Sequence, residues 1–85
     1  MNDTVPVRVT VEAWEEVDLD LATSTTVHDV KRQALAAVRM ADDPAGFLVK
    51  FRGAELSDES RTLAQVAFPA DGALIVLRRR RRAVR

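Results

Sequence analysis

Few side chains in this sequence could perform catalytic chemistry. His28 is the only histidine and there is no cysteine. The sequence therefore lacks the residues of the usual nucleophile–base pairs and of thiolate metal sites. Carboxylates occur in pairs, as at Glu15 and Glu16, but no D-x-D-x-D-G loop gathers them around calcium. No glycine-rich phosphate loop is present either. The sequence therefore predicts a protein that is not an enzyme and uses no cofactor or metal.

The clearest chemical feature is a block of arginine at the carboxyl end. Residues 78–85 hold six of the thirteen basic residues and none of the thirteen acidic ones, so residues 1–77 carry a net charge of minus six. This asymmetry is typical of proteins that bind other molecules. The arginines of this basic tail are Arg78, Arg79, Arg80, Arg81, Arg82 and Arg85.

Several roles for the basic tail stay open from the sequence. The arginines could be a solvated extension, or they could hold nucleic acid or an anionic membrane surface by charge. Aromatic residues that would stack on bases do not alternate with them, and residues 1–77 are acidic. An acidic protein partner, or contact of the tail with its own acidic domain, are the remaining readings.

The size and composition predict one small domain. The 85 residues are 47% hydrophobic and 31% charged, which is ordinary for a globular protein. The first residues lack the basic and apolar regions of a secretory signal, and the longest apolar run is too short to cross a bilayer. We expect a monomeric cytoplasmic protein with a domain at 1–77 and the basic tail at 78–85.

The hydrophobic pattern predicts strands on both sides of one helix. Apolar residues alternate with polar ones in the first two strands, and an apolar stripe with helical spacing follows a capping box that begins at Thr26. The segment 41–46 contains proline and glycine, which we expect to end the helix. The predicted strands lie at 5–11, 17–21, 47–51, 55–57 and 73–77.

This chain resembles ubiquitin over nearly its full length. The resemblance is carried by Gly53, Leu56 and the Arg61-Thr62-Leu63 combination, and by the helix start at 26–31. It implies an α+β fold of the ubiquitin-like β-grasp type, with a mixed four- to five-stranded sheet packed on one main helix. In size and layout the chain is also similar to the bacterial ubiquitin-like accessory proteins of type VII secretion.

The resemblance also indicates how this chain departs from ubiquitin. Ubiquitin is joined to other proteins through a terminal diglycine, which an extended chain needs to enter narrow enzyme channels. Arg82 and Ala83 occupy the matching positions here, and Ala54 and Ala70 stand where ubiquitin's most used linkage lysines lie. We therefore expect a module that binds proteins without being conjugated. The second alternative is an electrostatic adaptor whose basic tail binds an anionic membrane or nucleic acid, and the third is a ubiquitin-like modifier that is processed.

The candidate docking residues follow from strand alternation. If Val49 and Val76 face the helix, then Leu48, Lys50, Ile75 and Leu77 face outward. Arg8 of the first strand joins them, so we expect an apolar patch with a cationic rim, suited to a partner with acidic groups around an apolar side chain.

Trp14 is the only tryptophan and lies in a charged connector between the first two strands. It could fold back as a lid over one end of the core, or it could anchor a partner at an interface.

Overall fold

The computed structural model describes residues 4–12, 14–40, 43–69 and 72–79. They form five strands, one helix and a short 3₁₀ turn. These are β1 Thr4–Val11, β2 Glu15–Ala22, α1 Val27–Ala37, the 3₁₀ turn Pro44–Gly46, β3 Phe47–Phe51, β4 Ala54–Glu55 and β5 Ala73–Arg78. The predicted α+β class, with a mixed sheet and one main helix, is confirmed.

The sheet has the strand order β2-β1-β5-β3-β4. Of the strand pairs in the described part of the chain, β1–β5 is parallel, while β1–β2, β3–β5 and β3–β4 are antiparallel. The first and last strands therefore lie side by side at the centre of the sheet, with β2 and the two-residue β4 at its edges.

One face of the sheet is buried. Among the described residues, thirteen hydrophobic side chains form the core; they come from the alternate inward positions of the strands, from Leu63 and from the apolar stripe of α1. The five buried residues of α1 are Val27, Val30, Lys31, Ala34 and Leu35.

The helix begins as the sequence predicts and ends by a different device. The Thr26 hydroxyl accepts a hydrogen bond from the Asp29 N–H at 3.2 Å, which satisfies one of the free donors of the first turn. Arg39 adopts a left-handed conformation with φ 60°, and the N–H of Met40 donates to the Leu35 carbonyl. This arrangement stops the helix before the segment 41–46 begins.

The β3–β4 connection is a tight hairpin. Arg52 and Gly53 have φ values of 55° and 83°, and Phe51 pairs with Ala54 across them. Positive φ at both central positions is the geometry of a type I′ turn, whose twist matches that of the strands. The turn thereby sets the register that places Lys50 opposite Glu55.

Candidate functional site

The candidate site is the face of the sheet opposite α1. Along β3 and β5, Val49, Leu74 and Val76 are fully buried, whereas the alternate residues retain exposure. Successive side chains of a strand point to opposite faces. The outward positions are therefore those that the sequence predicts.

Strand pairing brings the outward apolar residues together. Leu48 lies opposite Leu77, and Ile75 lies between Lys50 on β3 and Thr10 on β1. Ile75 is 40% exposed, while Leu48 and Leu77 are half-buried. We call Leu48, Ile75 and Leu77 the apolar strip. None of the three is fully covered by the described part of the chain.

Carboxylates line the side of this face formed by β2. Residues opposite one another on paired strands share a face, and Glu16, Asp18 and Asp20 lie opposite Thr10, Arg8 and Pro6 respectively. All three carboxylates are exposed. We call Glu16, Asp18 and Asp20 the acidic column.

Arg8 contacts the acidic column instead of forming a separate cationic rim. Its Nε lies 3.3 Å from Oδ1 of Asp18, with both side chains largely exposed. The expectation of a cationic rim is therefore incomplete: Lys50 lies on the β3 side of the apolar strip, but the β2 side is acidic. On the far side of Lys50, Glu55 of β4 is its direct cross-strand neighbour.

A shallow cleft of about 500 Å³ opens at the same end of the face as Arg8 and Asp18. It is lined by residues of β1 and β2 and by the start of β5, and Arg8 lies in its wall. Its polar lining comprises Arg8, Asp18 and Asp20, and its other lining residues include Pro6, Leu19, Gly72 and Ala73.

Trp14 is 86% exposed. Its backbone N–H donates to the Val11 carbonyl at 3.3 Å. This backbone hydrogen bond closes the connector between β1 and β2, while the indole faces solvent. The lid alternative is therefore wrong, because a lid over the core would bury the ring. Trp14 lies next to the exposed Glu15 and Glu16 at the start of β2.

The two described arginines of the basic tail contact the domain. Arg78 is the last residue of β5; its N–H and Nε reach Glu12 at 3.2 and 3.4 Å, and its guanidinium lies 4.8 Å from the Phe47 ring centroid. Arg79 donates to the Gly46 and Ala45 carbonyls, and it lies 3.5 Å from a carboxylate oxygen of Glu55. Arg80, Arg81, Arg82 and Arg85 lie outside the described residues.

A buried ion pair lies behind this tail contact. Lys31 is 1% exposed; its Nζ donates to the Phe47 carbonyl at 2.8 Å and lies 2.7 Å from Oε1 of Glu59. The imidazole of His28 approaches the same carboxylate at 3.6 Å, and Arg79 approaches it at 4.0 Å. Glu59 thus joins the helix to the β4–β5 connection.

Sequence reasoning missed this pair, although one signal for it was present. Lys31 follows Val27 by four residues and precedes Leu35 by four, so it falls within the apolar stripe of α1. A lysine at such a position requires a partner. The partner Glu59 is 28 residues away in a loop, where hydrophobic periodicity gives no guide.

A short hydrogen-bonded turn holds Glu59 in place. Asp58 accepts hydrogen bonds from the hydroxyl and the N–H of Ser60. The bond from the Ser60 hydroxyl is the largest cause that holds the pKa of the Asp58 carboxyl below its ordinary value. The bond from the Ser60 N–H and the nearby positive charge of Arg61 lower the same pKa further. The ionised carboxylate therefore favours this turn.

The described residues present no arrangement for metal binding or membrane spanning. No group of three or more His, Cys, Asp or Glu side chains among them is placed to hold a metal ion. No helix in this part of the chain is both long enough and apolar enough to cross a bilayer.

Comparison by sequence identifies no relative. No protein-family model matches this chain, and no curated protein matches it.

Comparison by structure identifies the fold. A ubiquitin from Caldiarchaeum subterraneum matches with a TM-score of 0.78 at 15% identity, over 91% of this chain and 95% of that one. A second solved structure, described as molecular mimicry of SUMO that promotes DNA repair, matches with a TM-score of 0.79 at 14% identity, over 89% and 92% of the two chains. At these identities the likeness concerns the fold alone, and this chain has the ubiquitin-like β-grasp fold.

Proposed function

We propose that this chain is a ubiquitin-like module that binds a protein partner non-covalently through the uncovered face of its sheet. The observation that carries this proposal is the apolar strip: Ile75 is 40% exposed and lies beside the pair formed by Leu48 and Leu77. Contiguous exposed apolar side chains bordered by charge are typical of protein-binding surfaces. Lys50, the cross-strand neighbour of Ile75, and the exposed Trp14 are the proposed anchoring residues.

We infer that the module is not conjugated. The positions that correspond to ubiquitin's diglycine are Arg82 and Ala83 in this sequence. Side chains at these positions would obstruct the narrow channel through which a diglycine passes. The proposed activity is therefore binding by the folded face, without covalent transfer and without catalysis.

The electrostatic role of the basic tail stays a prediction. The contacts of Arg78 with Glu12 and of Arg79 with Glu55 favour an association of the first part of the tail with its own domain. Binding of nucleic acid or anionic lipid would depend on Arg80, Arg81, Arg82 and Arg85, which lie outside the described residues.

Peptide selection followed by substitution tests the docking face. Binders would be selected from a random peptide library on the full chain, and their dissociation constants measured for wild type and for Ile75→Asp. We expect affinity to fall at least tenfold, about 1.4 kcal/mol, because the carboxylate places charge at the centre of the apolar strip.

The matched control is Ala36→Asp, which adds the same charge at an exposed position of α1. Ile75→Thr retains β-branching and provides a second variant with strand propensity; thermal melts establish that each variant is folded. Binding that tolerates both Ile75 variants but is lost in Ala36→Asp would refute the proposed face.

A further inference from the structure

We propose that the partner segment is amphipathic and that its basic side contacts β2. The segment places an apolar stripe on Leu48, Ile75 and Leu77 and directs lysine or arginine side chains to the acidic column. This partner chemistry rests on the proposed docking function. The inference goes further because it specifies that the partner's charge is positive and that this charge lies over β2.

The charge of the face is asymmetric across the strands. Residues 9–27 contain five acidic residues and no basic one, and β2 presents Glu16, Asp18 and Asp20 on the same face as the apolar strip. Among the described residues, the Arg8 side chain pairs with Asp18 alone. Within the described part of the chain, neither Glu16 nor Asp20 takes part in an ion pair. Two carboxylates are thus available for cations from a partner.

The spacing suits a helix laid along the strip. Neighbouring strands are about 4.8 Å apart, so the acidic column lies about 10 Å from β5 across β1. A helix is about 10 Å in diameter with its side chains, so its flank would extend over β1. Long basic side chains bury their stems on apolar surface while their charged ends reach outward, here toward Glu16 in the same row as Ile75.

Two further features of this side accommodate a basic side chain. The cleft of about 500 Å³ has Asp18 and Asp20 in its lining, which gives a cation a recess at the acidic column. The indole of Trp14 is 86% exposed next to Glu15 and Glu16. An exposed indole beside carboxylates favours arginine or lysine, since the ring face attracts a cation while the carboxylates pair with it.

Three synthetic peptides with one common apolar stripe test the sign of the charge. The peptides differ on one flank, which carries lysine in the first, glutamine in the second and glutamate in the third. The change in Trp14 fluorescence reports their binding to the full chain at 150 mM salt. We expect the lysine peptide to bind at least tenfold more tightly than the glutamate peptide, with the glutamine peptide between them. Equal affinities, tighter binding of the glutamate peptide, or no binding of the lysine peptide would overturn the inference.

Isosteric variants test the location of the basic contact. Glu16→Gln combined with Asp20→Asn removes two charges without altering the apolar strip. We expect the lysine preference to fall to less than threefold while the glutamine peptide keeps its affinity. A preference that persists in this variant would place the contact elsewhere and contradict the inference.

The same peptides separate failure of the inference from failure of the docking face. If all three bind equally and all lose affinity with Ile75→Asp, the face is correct and the basic partner is wrong. If the glutamine peptide binds wild type and Ile75→Asp equally, the docking face itself is wrong.

The chain's own arginines are the competing occupants. We expect replacement of Arg80, Arg81, Arg82 and Arg85 by glutamine to leave the lysine-peptide affinity within twofold of wild type. A large gain in affinity would show that the tail occupies the acidic column in the same molecule. Self-association that the Glu16→Gln, Asp20→Asn variant abolishes would assign the column to a second copy. Either result overturns the proposal of a separate partner.

Discussion

Lys31 and Glu59 show how a single buried charge can connect distant segments. The ammonium group is 1% exposed and its hydrogen bonds go to Glu59 and to the Phe47 carbonyl. Taking a charge from water costs several kcal/mol unless a partner compensates. The pair therefore constrains where the β4–β5 connection lies relative to the helix.

Glu59→Gln tests this constraint. The substitution keeps the side-chain volume but leaves the Lys31 ammonium buried without a counter-charge, and we expect a loss of about 3–5 kcal/mol in the free energy of unfolding. Urea denaturation measures it. The control is Asp29→Asn, which breaks the exposed pair with Arg32 and should cost about 1 kcal/mol or less. Equal effects of the two substitutions would mean that the buried pair has no special role.

Single residues were predictable from the sequence only where the local pattern determines their environment. Alternation along β3 and β5 correctly assigned Ile75 to the exposed face and Val76 to the core, because strand periodicity needs no knowledge of distant partners. The Arg8–Asp18 contact depends on the register of β1 and β2. The sequence pattern predicted both strands but did not pair their residues, so the acidic column beside the strip was not foreseen.

At the scale of elements, α1 has a predictable start and a less predictable end. The Thr26 cap is a sequence signal with a direct physical basis, and the structure confirms it. The sequence predicts that the helix ends in the proline- and glycine-containing segment 41–46, but the helix closes at Arg39, whose φ is 60°. Arginine does not favour this conformation, so composition alone did not reveal the closing residue.

Arg39→Gly should stabilise the protein. Glycine adopts positive φ without the Cβ clash that costs other residues about 1–2 kcal/mol. Part of this gain is offset because glycine loses more conformational entropy on folding. We expect a net gain of about 0.5–1 kcal/mol in the free energy of unfolding, measured by thermal or urea denaturation. Arg39→Ala is the control because it removes the side chain but keeps the Cβ. Equal effects of the two variants would assign any gain to loss of the guanidinium.

At the scale of the whole molecule, the order of elements and the ubiquitin resemblance predicted the fold. Both the helix on one face and the mixed sheet are confirmed. The final segment was harder to predict, because its contacts span the chain: Arg78 donates to Glu12, 66 residues earlier. Glu12 itself has φ 56°, so this contact joins a left-handed residue at the end of β1 to the end of β5.

Mapping of a selected peptide onto the backbone amides by NMR tests the central claim most directly. The claim is that partners bind the sheet face opposite α1. We predict that titration shifts the amide signals of Leu48, Lys50, Ile75 and Leu77, with smaller changes along β2 and none in the exposed residues of α1. Shifts confined to α1, or to Arg78 and Arg79 with the apolar strip unchanged, would contradict it.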